Sequence, residues 1–132
     1  MLHENELATK VLDICFEIHR ELGPGMLESV YETILCYELD KAGIGYLRQH
    51  PVQATWDGKL MGTAFKADVI VERKLLLELK SVEALHPKDF KQTTNFLKIT
   101  RMRLGLLINF NEPRLSNGIR RIANGLTTDN LI

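Results

Sequence analysis

Apolar residues recur at Leu7, Val11, Ile14, Cys15, Ile18 and Leu22. This i, i+4, i+7 spacing is that of one buried stripe, and it predicts an amphipathic helix over residues 4–22. Gly23-Pro24-Gly25 ends it, because glycine suits the position after a helix and proline cannot continue one. A second stripe, Val30, Tyr31, Ile34, Leu35 and Leu39, predicts a helix over about 27–42, closed by Gly43. Strand signals follow. Residues 44–56 look extended, with Pro51 marking an edge or a bulge. Asp57-Gly58 is a hairpin turn signal. A strand over about 60–72, bent at Gly62, returns through the charged turn Glu72-Arg73-Lys74 into a strand over 75–81. His86-Pro87 opens a helix, with Pro87 in its first turn and Asp89 at its positive dipole end, running to about Arg101. Leu104 to Phe110 form a short, almost wholly apolar strand. Asn111-Glu112-Pro113 is loop, residues 118–123 add a short last strand, and the tail is loose.

The order is α-α-β-β-β-α-β with a final β, so the fold class is α/β: a mixed sheet flanked by helices. At 132 residues the chain forms one domain, 1–132, long enough to bury a core. With 45% apolar and 26% charged residues it reads as soluble, and no stretch approaches the roughly 20 apolar residues of a membrane span. The acidic N-terminus does not read as a signal peptide. Cys15 and Cys36 fall on helical stripes without a partner motif and read as reduced core thiols of a cytoplasmic protein.

Charge is uneven along the chain. Residues 1–60 hold five Lys/Arg against ten Asp/Glu, a balance of −5; residues 61–132 hold twelve against seven, a balance of +5. Lys88, Lys91, Lys98, Arg101 and Arg103 could form a basic face for a polyanion, or a solvated helix surface.

Within the strands three charged residues interrupt apolar runs: Asp68 in Ala67-Asp68-Val69-Ile70-Val71, and Glu78 and Lys80 in Leu75-Leu76-Leu77-Glu78-Leu79-Lys80. Buried strands rarely carry charge without a reason. Glu78 and Lys80 share a face, being two apart. A turn centred on Arg73 sets Asp68 opposite Glu78, within roughly 4.5–5.5 Å at Cβ. It also sets Lys66 opposite Lys80, so a break in the ladder is expected near Lys66. Two carboxylates this close repel. A divalent cation removes that penalty, and Mg²⁺ (or Mn²⁺) suits one or two carboxylates, several waters and a substrate phosphate. Lys80 would then orient or deprotonate an attacking water, or offset charge in the transition state. The bland alternative is a Glu78–Lys80 surface pair, with Asp68 bonded to backbone.

Asp68 followed by Glu78-Leu79-Lys80 resembles the core signature of the PD-(D/E)XK nuclease superfamily. Gly25-Met26-Leu27-Glu28-Ser29-Val30-Tyr31 resembles the motif that names the GxxExxY family within it. Gln92-Thr93-Thr94-Asn95-Phe96-Leu97-Lys98 and Gly105 to Phe110 are also similar to that family, and the likeness runs over about residues 5–124. The resemblance implies a restriction-endonuclease-like α-β-β-β-α-β core with an extra N-terminal helix. It implies Asp68 and Glu78 as metal-binding carboxylates, joined by Glu28 from the helix, with Lys80 as the catalytic lysine. It also implies Gln92 as the glutamine of a Q-x-x-x-Y motif beside the site; Phe96 stands where that motif has tyrosine, so the ring is kept and the hydroxyl is lost.

Each residue has a second reading. Glu28 can cap the first turn of its helix, Tyr31 reads as a core aromatic with a tethered hydroxyl, and His86 reads as a helix start. Two functions follow. One is a Mg²⁺- or Mn²⁺-dependent nuclease acting on DNA or RNA, alone or as a homodimer. The other is a non-catalytic nucleic-acid-binding or protein-interaction module that kept the fold.

Overall fold

A computed structural model describes residues 2–125; the tail expected to be loose falls mostly outside this range. Helices α1 (Glu4–Leu22) and α2 (Glu28–Lys41) are followed by strands β1 (Tyr46–Trp56), β2 (Lys59–Val71) and β3 (Leu75–Lys80). Helix α3 (Pro87–Thr100) then leads into β4 (Leu104–Asn109) and β5 (Ile119–Ala123). A 3-10 turn, Leu115–Gly118, lies between the loop expected at Asn111–Pro113 and β5.

Two helices begin with the same device. The His3 ring accepts from Asn5 N–H while Glu6 reaches back to His3 N–H; His86 and Asp89 do the same for α3, with Pro87 at its start. Each box satisfies orphan N–H groups that a helix start leaves open. His86 is therefore a cap, as its place before Pro87 suggested.

The sheet runs in the order β1-β2-β3-β4-β5. β1, β2 and β3 are an antiparallel meander, β3 and β4 are parallel across the α3 crossover, and β5 returns antiparallel. At the Asp57-Gly58 turn both residues have positive φ, 54° and 73°, the conformation that joins two twisted strands tightly and that glycine adopts without strain. β1 and β2 reach well past β3, and the tip of this ribbon leaves Trp56, Leu60 and Met61 exposed.

Each face of the sheet has its own core. Val69, Val71, Leu75, Leu77 and Leu79 pack against Val11, Cys15, Tyr31 and Leu35 of α1 and α2. Ile70 and Leu76 pack against Phe96 and Leu97 of α3. α3 sits close because β4 offers Gly105: a Cβ there would lie 3.2 Å from Thr93 Cγ2. The charged positions of β2 and β3 open on the α3 face, where Glu78 and Lys80 follow Leu76 at intervals of two.

Arg103 does not join a basic face. Its guanidinium is clamped on Glu4, Nε at 2.9 Å and Nη2 at 3.1 Å, and this holds the Glu4 carboxyl below its usual range. Lys88, Lys91, Lys98 and Arg101 remain exposed. Cys15 and Cys36 are buried free thiols, pushed up to about 12 and about 11 chiefly by burial. Neither supplies a thiolate nucleophile. No helix among the described residues is long and apolar enough to cross a membrane.

Candidate metal and catalytic site

The β2–β3 ladder pairs Val71 with Leu75, Ile70 with Leu76 and Val69 with Leu77, the register that brings Asp68 across from Glu78. It goes no further. Asp68 Oδ2 accepts the Leu79 N–H at 2.8 Å, so a side chain replaces the backbone partner. This ends the ladder before Lys66 can oppose Lys80, two positions earlier than the break expected at Lys66.

Beyond that break lies a small cavity of about 160 Å³. Asp68, Glu78, Lys80, Asp89, Gln92 and Phe96 line it, and Lys66 reaches it from β2. A larger groove of about 470 Å³ between α1 and α2 is lined by Ile14, Ile18, Leu22 and Ile34 under acidic side chains. Glu17, Glu21, Glu38 and Lys41 rim that groove, Lys41 paired with Glu38 at 3.3 Å, whereas the smaller cavity sets carboxylates of β2, β3 and α3 around Lys80.

Burial raises the Glu78 carboxyl to about 8, and the Asp68 carboxylate adds to this against the pull of Lys80. Asp68 is raised too, first by burial, against its bonds to Leu79 N–H and Gln49. The two groups form an acidic pair in a confined space that Lys66 and Lys80 also line. Lys80 Nζ lies 3.7 Å from Asp89 Oδ1, so the nearby cation is shared with a third acid.

Glu28 approaches from α2. It is the first residue of α2, a helix whose N-cap, Leu27, makes no side-chain capping bond. Its carboxyl is raised by partial burial; Lys80 lowers it, while Asp68, Asp89 and Glu32 raise it further. Glu28 is exposed and does not line the cavity, although it lies within electrostatic reach of Lys80, Asp68 and Asp89. The Gly23–Leu27 turn puts it there. Tyr31 Oη donates to Gly23 O at 2.6 Å and accepts from Met26 N at 3.2 Å, and Ser81 Oγ donates to Met26 O at 2.6 Å from the end of β3.

Tyr31 is wholly buried and stacks on Phe110 with ring centroids 4.4 Å apart, the tethered core aromatic of the sequence reading. Tyr31→Phe is expected to lower unfolding free energy by about 1–3 kcal/mol, because both backbone groups lose their partner. Urea denaturation reads this, and an unchanged midpoint would refute it.

No three carboxylate, imidazole or thiol groups among the described residues come together closely enough to hold a metal ion. Asp68, Glu78 and Glu28 therefore do not form a closed three-ligand set: Glu28 comes from another element and interacts with Lys80. The donor chemistry still fits a hard cation. Two half-buried carboxylates that repel each other when both are ionised suit Mg²⁺ or Mn²⁺, which fill their remaining positions with water and phosphate oxygen.

Gln92 lines the cavity from α3, while Phe96 is buried beneath it, edge-on to Phe65 at 6.1 Å. Three residues escaped the sequence reading as site components. Asp89 was legible only as a helix-start acid. Glu32, buried, and Gln49, bonded to Asp68 Oδ1 at 3.3 Å, carried no signal beyond the i, i+4 spacing of Glu28 and Glu32.

No curated protein and no solved structure matches this chain. A sequence profile of the PD-(D/E)XK nuclease superfamily, however, matches residues 5–122. The chain belongs to the PD-(D/E)XK nuclease superfamily.

Proposed function

We propose that this protein is a Mg²⁺- or Mn²⁺-dependent nuclease that hydrolyses phosphodiester bonds of DNA or RNA, in the GxxExxY branch of its superfamily. The observation that carries this reading is the half-buried Asp68–Glu78 pair beside Lys80, whose joint ionisation costs stability unless a cation is held there.

Asp68 and Glu78 would hold the ion. When bound, the ion polarises the phosphate and makes water a better nucleophile at neutral pH. The chain's own residues do the rest. Lys80 Nζ, steered by Asp89, orients the attacking water and offsets charge building on the phosphate oxygens. Glu28, from the start of α2, would accept a hydrogen bond from the attacking water. Gln92 offers its amide N–H to a phosphate oxygen. Lys66, Lys88 and Lys91 supply positive charge along the approach, a positioning role without sequence preference. A cytoplasmic setting agrees with the two free thiols.

Asp68→Ala is expected to weaken Mn²⁺ binding at least tenfold by calorimetry and to abolish cleavage of single- and double-stranded DNA and RNA. Absence of cleavage by the folded parent with either ion, across that panel, would sink the nuclease reading. Salt-dependent binding of nucleic acid that ignores both EDTA and Lys80→Ala would point instead to a binding module.

A further inference from the structure

Five non-glycine residues among those described have positive φ. Four lie where the chain turns or a helix ends: Asp57 in the hairpin, Glu72 and Arg73 between β2 and β3, and Arg101 after α3. The fifth, Gln49 at φ 49°, lies inside β1. The register is regular on both sides of it, Arg48 opposite Val69 and His50 opposite Ala67, so Gln49 stands across from Asp68. A side chain other than glycine, asparagine or aspartate is strained in this backbone region, and such strain persists only where surrounding contacts hold it.

Those contacts are specific. Gln49 Nε2 donates to Glu32 Oε1 at 2.8 Å and to Asp68 Oδ1 at 3.3 Å. Both amide protons are spent on carboxylates. Only this orientation of the amide works, since the reverse would turn its oxygen toward two acids. The other Glu32 oxygen is gripped by Arg48 Nε at 2.6 Å, and Arg48 Nη2 reaches Thr33 Oγ1 at 2.8 Å. Glu32 is thereby fixed on α2, one turn beyond Glu28. Asp68 is fixed through both oxygens, by Gln49 on one and by Leu79 N–H on the other. Each carboxylate oxygen keeps a second lone pair, so the carboxylate is oriented without being consumed.

We infer that Gln49 is a positioning residue for the metal pair: a strained strand residue whose amide sets the plane of the Asp68 carboxylate and locks it to Glu32 of α2. The inference rests on the proposed role of Asp68 as a ligand, and it deepens that role. Partners that orient a ligand from behind typically change metal affinity 10–100-fold when lost. A merely structural link between α2 and β1 would act on stability instead.

Gln49→Gly and Gln49→Asn separate the two. Glycine removes the bridge and relieves the backbone; asparagine tolerates the left-handed conformation and is one carbon too short to span both acids. The variants are measured for melting temperature, for hydrogen exchange of the Leu79 amide without metal, and for Mn²⁺ affinity. Expected are an unchanged or raised melting temperature, faster exchange at Leu79 with other core amides unaffected, and 10–100-fold weaker Mn²⁺ binding. Unchanged Leu79 exchange and Mn²⁺ affinity would overturn the inference. So would a fall in melting temperature with all core amides exchanging faster together. Should the parent bind no Mn²⁺ while Leu79 alone responds, the metal reading fails and the positioning of Asp68 by Gln49 stands.

Discussion

Lys80→Met should lower phosphodiester cleavage by roughly 10²–10⁴-fold, the range for loss of a group that moves or orients a proton in the transition state. The fold should survive. Lys80 is partly exposed at the end of β3, its ion pair to Asp89 is long at 3.7 Å, and the methionine stem refills much of the same volume. Its backbone oxygen, not its side chain, accepts the Phe110 N–H that closes the β3–β4 ladder. The effect should fall on kcat with KM nearly unchanged, since the ammonium acts where charge develops. Mn²⁺ affinity should rise slightly or stay constant, because a cation beside the acidic pair has been removed. A variant that keeps parental kcat, or loses activity only in step with lost helicity, would remove Lys80 from the mechanism.

A second large effect is expected without any metal. In the folded protein Glu78 has its carboxyl raised to about 8; in the unfolded chain it titrates near its ordinary value of roughly 4.3. Between these values the folded state holds a proton that the unfolded state has released. Stability from this group is therefore fully present below the unfolded value and is lost as pH rises through the folded one. In EDTA the melting temperature should fall from about pH 5 to about pH 8 and then level off. The change is several kcal/mol, on the order of 4. Glu78→Gln should flatten that slope and exceed the parent in melting temperature at pH 9. Added Mg²⁺ or Mn²⁺ should stabilise the parent more at pH 8 than at pH 6, because binding needs the ionised carboxylates, and should do little for the variant. A parent whose melting temperature is flat from pH 5 to 9 in EDTA would show that Glu78 is not so confined.

Much of this could be read in the sequence because local chemistry and tertiary packing agree. His3 with Glu6, and His86-Pro87 with Asp89, mark helix starts that packing does not override. The Arg73-centred turn was enough to set Asp68 against Glu78, since a two-residue period and a short turn leave few registers open. What escaped depends on elements distant in sequence. Glu32 looks like any helix glutamate until β1 brings Arg48 and Gln49 against it. Nothing in the letters Arg-Gln-His announces a left-handed residue at Gln49, because that conformation is imposed by the acids its amide bridges. Asp89 does two things at once, capping α3 and pairing with Lys80, and the first hid the second. Glu28 was joined to the site by the resemblance alone, because no spacing says how far the turn before α2 carries it toward the sheet.

β1 is the outermost strand on its side, and its course bears on how this protein behaves in a crowded solution. Unpaired strands at a sheet's margin are templates onto which a foreign chain can zip, the first step of aggregation. Here the template is spoiled repeatedly. Gln49 kinks the backbone, Pro51 has no N–H to donate, and the register slips between Val52 and Gln53 and again between Gln53 and Thr55. No long run of evenly spaced donors and acceptors is left for an incoming strand to match. The opposite margin, β5, is five residues long and carries Arg120 and Arg121. Among the described residues, neither margin offers a long, regular strand on which a second copy could prolong the sheet. The irregularity that orients Asp68 thus also keeps the protein from seeding its own precipitation.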